Sequence, residues 1–453
     1  MMKNGYGRSS EPSRTLEFWA PWIVATVGII VYWRSLAAPF LFDDLNLIVN
    51  EVHIRKLWPL WDTIRTIRPV VDVSLALNYA LGGAHVLGYH IFNLTVHLLA
   101  AFTLLGIVRR SLLGDPRHNY NESSATVLAL FVSLIWMVHP LQTESVTYTI
   151  QRSESMMGLF YLLTIYCFIR GVSSGKPVRW LGLSVVSCAL GMGTKGIMVT
   201  APLLVLLYDR FFVANSFGDA LRKRSKYYLL LSGTWVVLVI CTSLPFVLRW
   251  ESPWVLRNYT YAHISPVKYF VAQCWVILHY LKLSFWPHPL CLDYFREYSK
   301  TNQSALPCLA LLLIFAEIAL LARKHPRAAF LGIAFFLILF PTSSFFPLRD
   351  IEVEHRMYLS LAAVIAGVVL GVHHAIQITF RSKTMQKIFG LTVGCAMVIV
   401  FGAMTIERNE AYRDPALLWN QALKINPSNW RARLVIAEAL IERGMYDEAI
   451  GNI

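Results

Sequence analysis

The chain has 453 residues, 56% hydrophobic and 15% charged, with a mean hydropathy of +0.50. Soluble domains carry about a quarter charged residues, so this composition excludes an ordinary water-soluble globule, and its apolar and aromatic content excludes a disordered chain. The excess of 41 Lys+Arg over 27 Asp+Glu gives a net charge of +14. In a membrane protein such an excess marks cytosolic loops and lipid-headgroup contact, so nucleic acid is not an expected partner.

The apolar run from Phe18 to Val31 is long and lacks a small-residue cleavage site, so it reads as a first anchor and not as a cleavable leader. Spans close to the ~20 residues a bilayer requires are predicted at 18–38, 86–108, 124–140, 154–171, 180–194, 196–213, 228–248, 305–322, 328–346, 357–378 and 387–406. Another apolar run, 268–286, is decided by charge. The clusters Arg109–Arg110, Lys176/Arg179, Arg222–Lys223–Arg224/Lys226, Arg323–Lys324/Arg327 and Arg381/Lys383/Lys387 belong to the cytosol. With the N-terminus inside, a crossing at 268–286 would put the last two outside. The run is therefore expected to be an outer-face interfacial or re-entrant helix, in which Gln273, His279 and Lys282 break the apolar face and Trp275 and Trp286 suit an interface. The expected fold class is an all-α polytopic membrane protein with about eleven spans, its C-terminus outside and its long outer connections at 39–85 and 249–304.

Residues 1–406 form the transmembrane domain on this reading, and 407–453 change to a charged, amphipathic character. Asn426-Pro427-Ser428-Asn429-Trp430, then Ala437, Gly444, Tyr446 and Ala449, follow the tetratricopeptide pattern of small residues where two helices cross. Three or more such units are normally needed for stability, so either the array continues or this short segment packs on the membrane body. The seven cysteines form no CxxC pair, so neither a zinc site nor a disulfide framework is indicated.

The polar residues that could carry chemistry gather at the predicted outer boundary. Asp43-Asp44 follow the first span; they read either as solvated anions in a turn or as a general base whose proton affinity rises near apolar surface and a like charge. His139 and Glu144 end the third span, suited to orienting contacts or, less well without a second His, to a metal. Arg152 and Glu154 begin the fourth span as a helix-end ion pair or as site residues. Lys195 lies in the hairpin between the fifth and sixth spans as a headgroup snorkel or a phosphate cation. Arg356, at membrane depth, requires an anion, and a lipid phosphate is an attractive one. Arg68 precedes an amphipathic stretch at 70–83. Cations that hold a phosphate and a carboxylate that activates a hydroxyl suit transfer from a phosphate-linked lipid. A transporter or assembly scaffold would instead line a path through mid-membrane with polar groups. A polysaccharide polymerase or ligase would share the lipid-linked donor.

Phe42-Asp43-Asp44, Arg68-Pro69, Gly88-Tyr-His90-Ile-Phe-Asn93-Leu-Thr-Val-His97, His139-Pro140-Leu-Gln-Thr-Glu144, Arg152-Ser-Glu154, Thr194-Lys195, Trp286-Pro-His-Pro-Leu-Cys-Leu-Asp293-Tyr294 and Glu354-His355-Arg356-Met-Tyr358 occur in family order. With the C-terminal tetratricopeptide, the chain resembles the transmembrane-and-tetratricopeptide protein O-mannosyltransferases and their bacterial relatives, of the C-type (GT-C) membrane glycosyltransferase fold. The resemblance implies inverting transfer from a polyprenyl-phosphate sugar to a Ser/Thr hydroxyl of an acceptor protein on the periplasmic or lumenal side. It implies an aspartate of the Asp43-Asp44 pair as base and Arg356 as phosphate ligand. Arg68, His90, His139, Glu144, Arg152, Glu154, Lys195, His355 and Tyr358 are expected on the substrate-binding side. Two positions depart from the family pattern. Gln142 replaces a second His, weakening a metal site, and Gly196 replaces the Glu after the lysine, removing its expected partner. No obligatory metal is expected, a divalent ion near Asp43, His139 and Glu144 being the alternative. The tetratricopeptide tail is expected to bind the acceptor or a partner protein. Short cytosolic loops favour a bacterial inner membrane with the site facing the periplasm, the endoplasmic reticulum being the alternative.

Overall fold

A computed structural model describes residues 11–64, 66–114, 120–247, 265–295, 305–442 and 444–452. Its regular elements are helices: α1 (Glu11–Tyr32), α2 (Pro69–Gly82), α3 (Val86–Leu113), α4 (Glu122–Met137), α5 (Arg152–Ser173), α6 (Pro177–Met192), α7 (Ala201–Tyr208), α8 (Ser225–Val247), α9 (Pro266–Phe285), α10 (Leu306–Lys324), α11 (Pro326–Leu339), α12 (Met357–Thr379) and α13 (Lys383–Ala411), then α14 (Pro415–Ile425), α15 (Trp430–Glu442) and α16 (Tyr446–Asn452), besides short turns. Proline opens α2, α6, α9, α11 and α14, where its missing N–H is one the helix end leaves unpaired anyway. Asn121 caps α4 by accepting the Ser124 N–H at 2.8 Å, and Asp414 caps α14 by accepting the N–H groups of Ala416 and Leu417.

Eight of the described helices are long and apolar enough to cross a membrane, and a ninth span results if Glu122–Met137 and Pro140–Val146, bent by 56°, count as one. Pro177–Met192 and Pro326–Leu339 are apolar but shorter. These coincide with the segments anticipated from hydropathy, and the chain is a multi-pass α-helical membrane protein. The span expected at 328–346 stops early, at Leu339. Phe340 still donates to Phe336 at 2.9 Å, but Pro341 has no N–H to continue the ladder, so the helix ends and an irregular segment follows.

Chain direction alternates through the bundle, so the basic clusters fall at one end and the candidate site residues at the other. Arg109 and Arg110 close α3, Lys176 lies between α5 and α6, and Arg323 and Lys324 close α10. Asp43 follows α1, Glu154 opens α5, Lys195 precedes α7 and His355 precedes α12.

Helix α9 lies along the irregular segment before α12. The Tyr269 hydroxyl donates to the Thr342 carbonyl at 2.7 Å, the Gln273 amide to Ile351 at 2.8 Å, and the Tyr280 hydroxyl to Val353 at 2.7 Å. Its far end, at the Ser284 carbonyl, accepts from His139 at 3.2 Å. Both ends of α9 thus bond to residues at the site end of other helices, which fits a helix that does not cross. Gln273 is fully buried and His279, partly exposed, bonds Glu352, so both serve protein contacts. The outer connection expected at 249–304 lies outside the described residues except for 265–295. In a chain lacking its native cysteines, Lys268→Cys and Trp286→Cys are expected to react with a membrane-impermeant thiol reagent from the same side. Labelling from opposite sides would show that α9 spans.

Two cores result. One fills the helix bundle, with Trp136, Met137, Tyr161, Phe168 and Tyr358 fully buried. The second lies at the site end and joins Leu41, Ile48, Ile54, Tyr148 and Leu292 of the connections, with Tyr89 of α3, to Tyr412, Leu418, Trp419, Ala422 and Ile436 of the tail. The tail packs on the membrane body through these residues. Truncating a buried Trp typically costs about 3–5 kcal/mol, so Trp419 alone is a substantial anchor.

Candidate active site

The site is built around the turn after α1. Phe42 adopts φ 43°, a left-handed conformation that is strained for a bulky side chain, and its ring packs edge-on against Trp419 with centroids 5.2 Å apart. The turn sends the two adjacent carboxylates to different environments. Asp44 is fully buried; its Oδ1 accepts the Ile150 N–H at 2.7 Å and its Oδ2 the Leu41 N–H at 3.0 Å. Burial pushes its carboxyl up to about 7, against those two donors. Asp44 therefore ties the first connection to the start of the fourth span. Asp43 is half-buried, and its carboxylate forms no ion pair among the described residues. The Tyr148 hydroxyl accepts its N–H at 3.0 Å. Burial first, then the Asp350 charge, raises the proton affinity of Asp43, while Tyr148, Arg349 and Arg431 oppose them. Of the pair, Asp43 is the one left partly exposed, while the Asp44 carboxylate is fully buried and held by two main-chain donors.

The cationic part lies where α2 begins beside the hairpin between α6 and α7. Val70 donates to the Gly193 carbonyl at 3.1 Å, and a Cβ on Gly193 would stand 2.8 Å from the Val70 side chain, so only glycine permits this approach. That junction holds Arg68 next to Lys195. The Lys195 ammonium is ion-paired to buried Glu154. The partner that the family pattern places after the lysine is thus supplied from α5, correcting the expectation that Gly196 leaves Lys195 without one. The Arg68 side chain makes no hydrogen bond or ion pair among the described residues and lies close enough to act on the charge of Lys195.

His355 joins the two parts. Its N–H and its ring Nδ1–H donate to the two oxygens of Glu144, at 2.9 and 2.7 Å, and Asp350 and Lys195 both lie within electrostatic range. The structure thus brings Asp43, Arg68, Glu154, Lys195 and His355 to one region, with Glu144 orienting the imidazole.

Five residues expected to bind substrate support the scaffold instead. His90 donates through Nε2 to the Ala38 carbonyl at 2.8 Å and is buried. His139 uses both ring nitrogens, donating to Ser284 and accepting the Leu141 N–H at 3.2 Å. Tyr358 is fully buried, and its hydroxyl donates to His97 at 2.9 Å. Arg152 does not pair with Glu154. It donates to the Asn78 side chain at 2.7 Å and the Tyr89 carbonyl at 3.3 Å, and lies 4.6 Å from the Phe92 ring centre. Arg356 donates from its two terminal nitrogens to the Ile351 carbonyl at 2.9 Å and the Asp350 carbonyl at 2.5 Å. A buried guanidinium at this depth does need partners, but here main-chain carbonyls supply them, so Arg356 shapes the loop carrying Asp350. The alternative metal set fares similarly. His139 has no ring nitrogen to offer, and both Glu144 oxygens serve His355, so Asp43, His139 and Glu144 do not form a ready ligand set.

Sequence reasoning missed Asp350, Tyr148 and Arg431. Asp350 stands a few residues before the Glu354-His355-Arg356 motif, and its position in an irregular, polar connection was the available signal. Arg431 lies in the tail and carried none.

With this geometry in place, comparison with known proteins is informative. Residues 68–245 match the family described as dolichyl-phosphate-mannose-protein mannosyltransferase. Over 487 residues the chain is 22% identical to the human protein O-mannosyl-transferase TMTC3, covering 94% of this chain and 50% of that protein. It is 25% identical to human protein O-mannosyl-transferase TMTC4 over 505 residues, covering 97% of this chain and 66% of that one. The chain thus spans about half to two thirds of the length of these relatives. The crystal structure of ArnT from Cupriavidus metallidurans bound to undecaprenyl phosphate superposes with a TM-score of 0.49 at 14% identity, covering 92% of this chain and 80% of that one. The chain resembles the TMTC protein O-mannosyl-transferases along almost its whole length.

Proposed function

We propose that the chain is a GT-C glycosyltransferase that moves a sugar, with inversion, from a polyprenyl-phosphate donor to a Ser/Thr hydroxyl of an acceptor protein. The similarity to proteins named O-mannosyl-transferases supports the reaction class. The observation that carries the reading is one end of a membrane bundle holding a half-buried carboxylate, Asp43, which forms no ion pair among the described residues, together with the cations Arg68 and Lys195. The acceptor oxygen bonds to the sugar C1 as the C1–O bond to phosphate breaks. The hydroxyl proton passes to Asp43, and the bonding electrons leave with the lipid monophosphate, whose charge Arg68 and Lys195 balance. A monophosphate leaving group needs less neutralisation than a diphosphate, so no metal is required on this reading. The site faces the side opposite the basic loops, the periplasm of a bacterial inner membrane or the lumen of the endoplasmic reticulum. The membrane lipid and the acceptor protein are its partners, and the tail is the surface offered to the acceptor.

The test is to incubate the purified protein with defined polyprenyl-phosphate sugars and a Ser/Thr-containing acceptor, and to measure released lipid phosphate with and without chelator. Release that survives chelation is expected. Activity lost to chelator and restored by added divalent ion would refute the metal-free account. Because Asp43 must be ionised, the rate should fall on acidification, with a midpoint above the ordinary carboxylate value of 3.8.

A further inference from the structure

The tail does more than pack on the outer connections. The Asn426 amide donates to the Phe295 carbonyl at 2.7 Å and the Asn429 amide to the Asp293 carbonyl at 3.1 Å, fixing the start of α15 over the segment after α9. Arg431 then reaches across. Its terminal nitrogen lies 3.0 Å from Asp350 Oδ1 and 3.4 Å from Asp293 Oδ2, and its guanidinium carbon is 5.5 Å from the Phe295 ring centre. Arg431 and Asp293 are both nearly buried, whereas Asp350 is half-exposed. The Asp350 main chain is held from below by Arg356 and its side chain from above by Arg431. A second tail contact, Trp419 on Phe42, grips the residue immediately before Asp43.

We infer that the tetratricopeptide-type tail is a working part of the transfer site, and that Arg431 is a positioning residue which neutralises Asp350 and keeps the neighbouring Asp43 charged and in place for the acceptor. This rests on the glycosyl-transfer reading for its purpose but not for its test. Among the described residues, the charged and titratable groups acting on Asp43 are Asp44 on its own turn, Tyr148 from the connection before α5, Arg349 and Asp350 from the segment before α12, and Arg431 from α15. Asp350 disfavours the Asp43 anion, and Arg431 favours it twice, directly and by masking Asp350. Loss of Arg431 therefore exposes Asp43 to an uncompensated neighbouring anion and should raise its proton affinity.

The experiment is pH-dependent carbodiimide labelling of Asp43 in the whole purified chain, read by mass spectrometry, with thermal unfolding as the control for folding. Arg431→Gln should move the labelling midpoint upward, and Arg431→Lys, which keeps the charge, should return it close to the parent value. Asp350→Asn should move it downward, a shift in the opposite direction that general loosening of the tail would not produce. Midpoints that stay put in both Arg431→Gln and Asp350→Asn would overturn the inference, as would Arg431→Lys behaving like Arg431→Gln. The labelling needs no donor, so failure of the glycosyl-transfer reading would appear separately, as an inactive parent protein with the predicted midpoint shifts intact.

Discussion

Asp43→Asn is expected to lower the transfer rate by roughly 10²–10⁴-fold while leaving the protein folded, the range lost when a general base is removed. The substitution keeps size and shape at a half-buried side chain whose carboxylate forms no ion pair among the described residues. Asp44→Asn should behave differently. Its carboxylate accepts two main-chain N–H groups in a fully buried setting, and an amide can accept one of them only by turning its NH₂ toward the other donor. An unsatisfied or opposed buried donor costs about 1–3 kcal/mol, so the thermal midpoint should fall. The comparison is between turnover per folded molecule and unfolding temperature for each variant. Near-normal turnover in Asp43→Asn with normal folding would sink the assignment of the base.

The second large effect is at Lys195. Lys195→Met leaves the Glu154 carboxylate buried without its counter-charge, and breaking a buried ion pair from one side typically costs about 3–5 kcal/mol. Adding Glu154→Gln removes that orphaned charge and should recover most of the stability. On the proposed mechanism it should not recover transfer, because the cation assigned to the lipid phosphate is still missing. Thermal unfolding and donor turnover measured on the single and double variants separate the two roles. A double variant that is both stable and fully active would show that Lys195 serves only to accommodate Glu154.

The spans were legible because a bilayer imposes length and apolarity on each segment independently of the others. For α9, charge parity supplies an expectation, a helix that does not cross, which local hydropathy could not, and the hydrogen bonds of α9 to His139, Thr342 and Val353 fit it. The end of the span after Pro326 was not legible, although Pro341 marks it once helix geometry is considered. At the site, the residue types and their common end of the bundle could be read, but their division of labour could not. Asp43 and Asp44 are adjacent, and only the left-handed turn at Phe42 gives one to the main chain and the other to the site. Glu154 replaces the missing neighbour of Lys195 from a different helix, a contact with no local signature. Arg356 looked free for a phosphate because carbonyl partners from an irregular segment leave no pattern in a sequence. The same holds for Arg431, which reaches the site only because the tail folds back over it.

The most direct measurement is the fate of a synthetic polyprenyl-phosphate hexose of known anomeric configuration incubated with the purified protein and a Ser/Thr peptide. Its products would be read by mass spectrometry and by the anomeric NMR signals. The account predicts lipid monophosphate released in equal amount to glycosylated peptide, the sugar linked with inverted configuration, and both products lost in Asp43→Asn. Retained configuration, or release of lipid phosphate undiminished in Asp43→Asn, would contradict it.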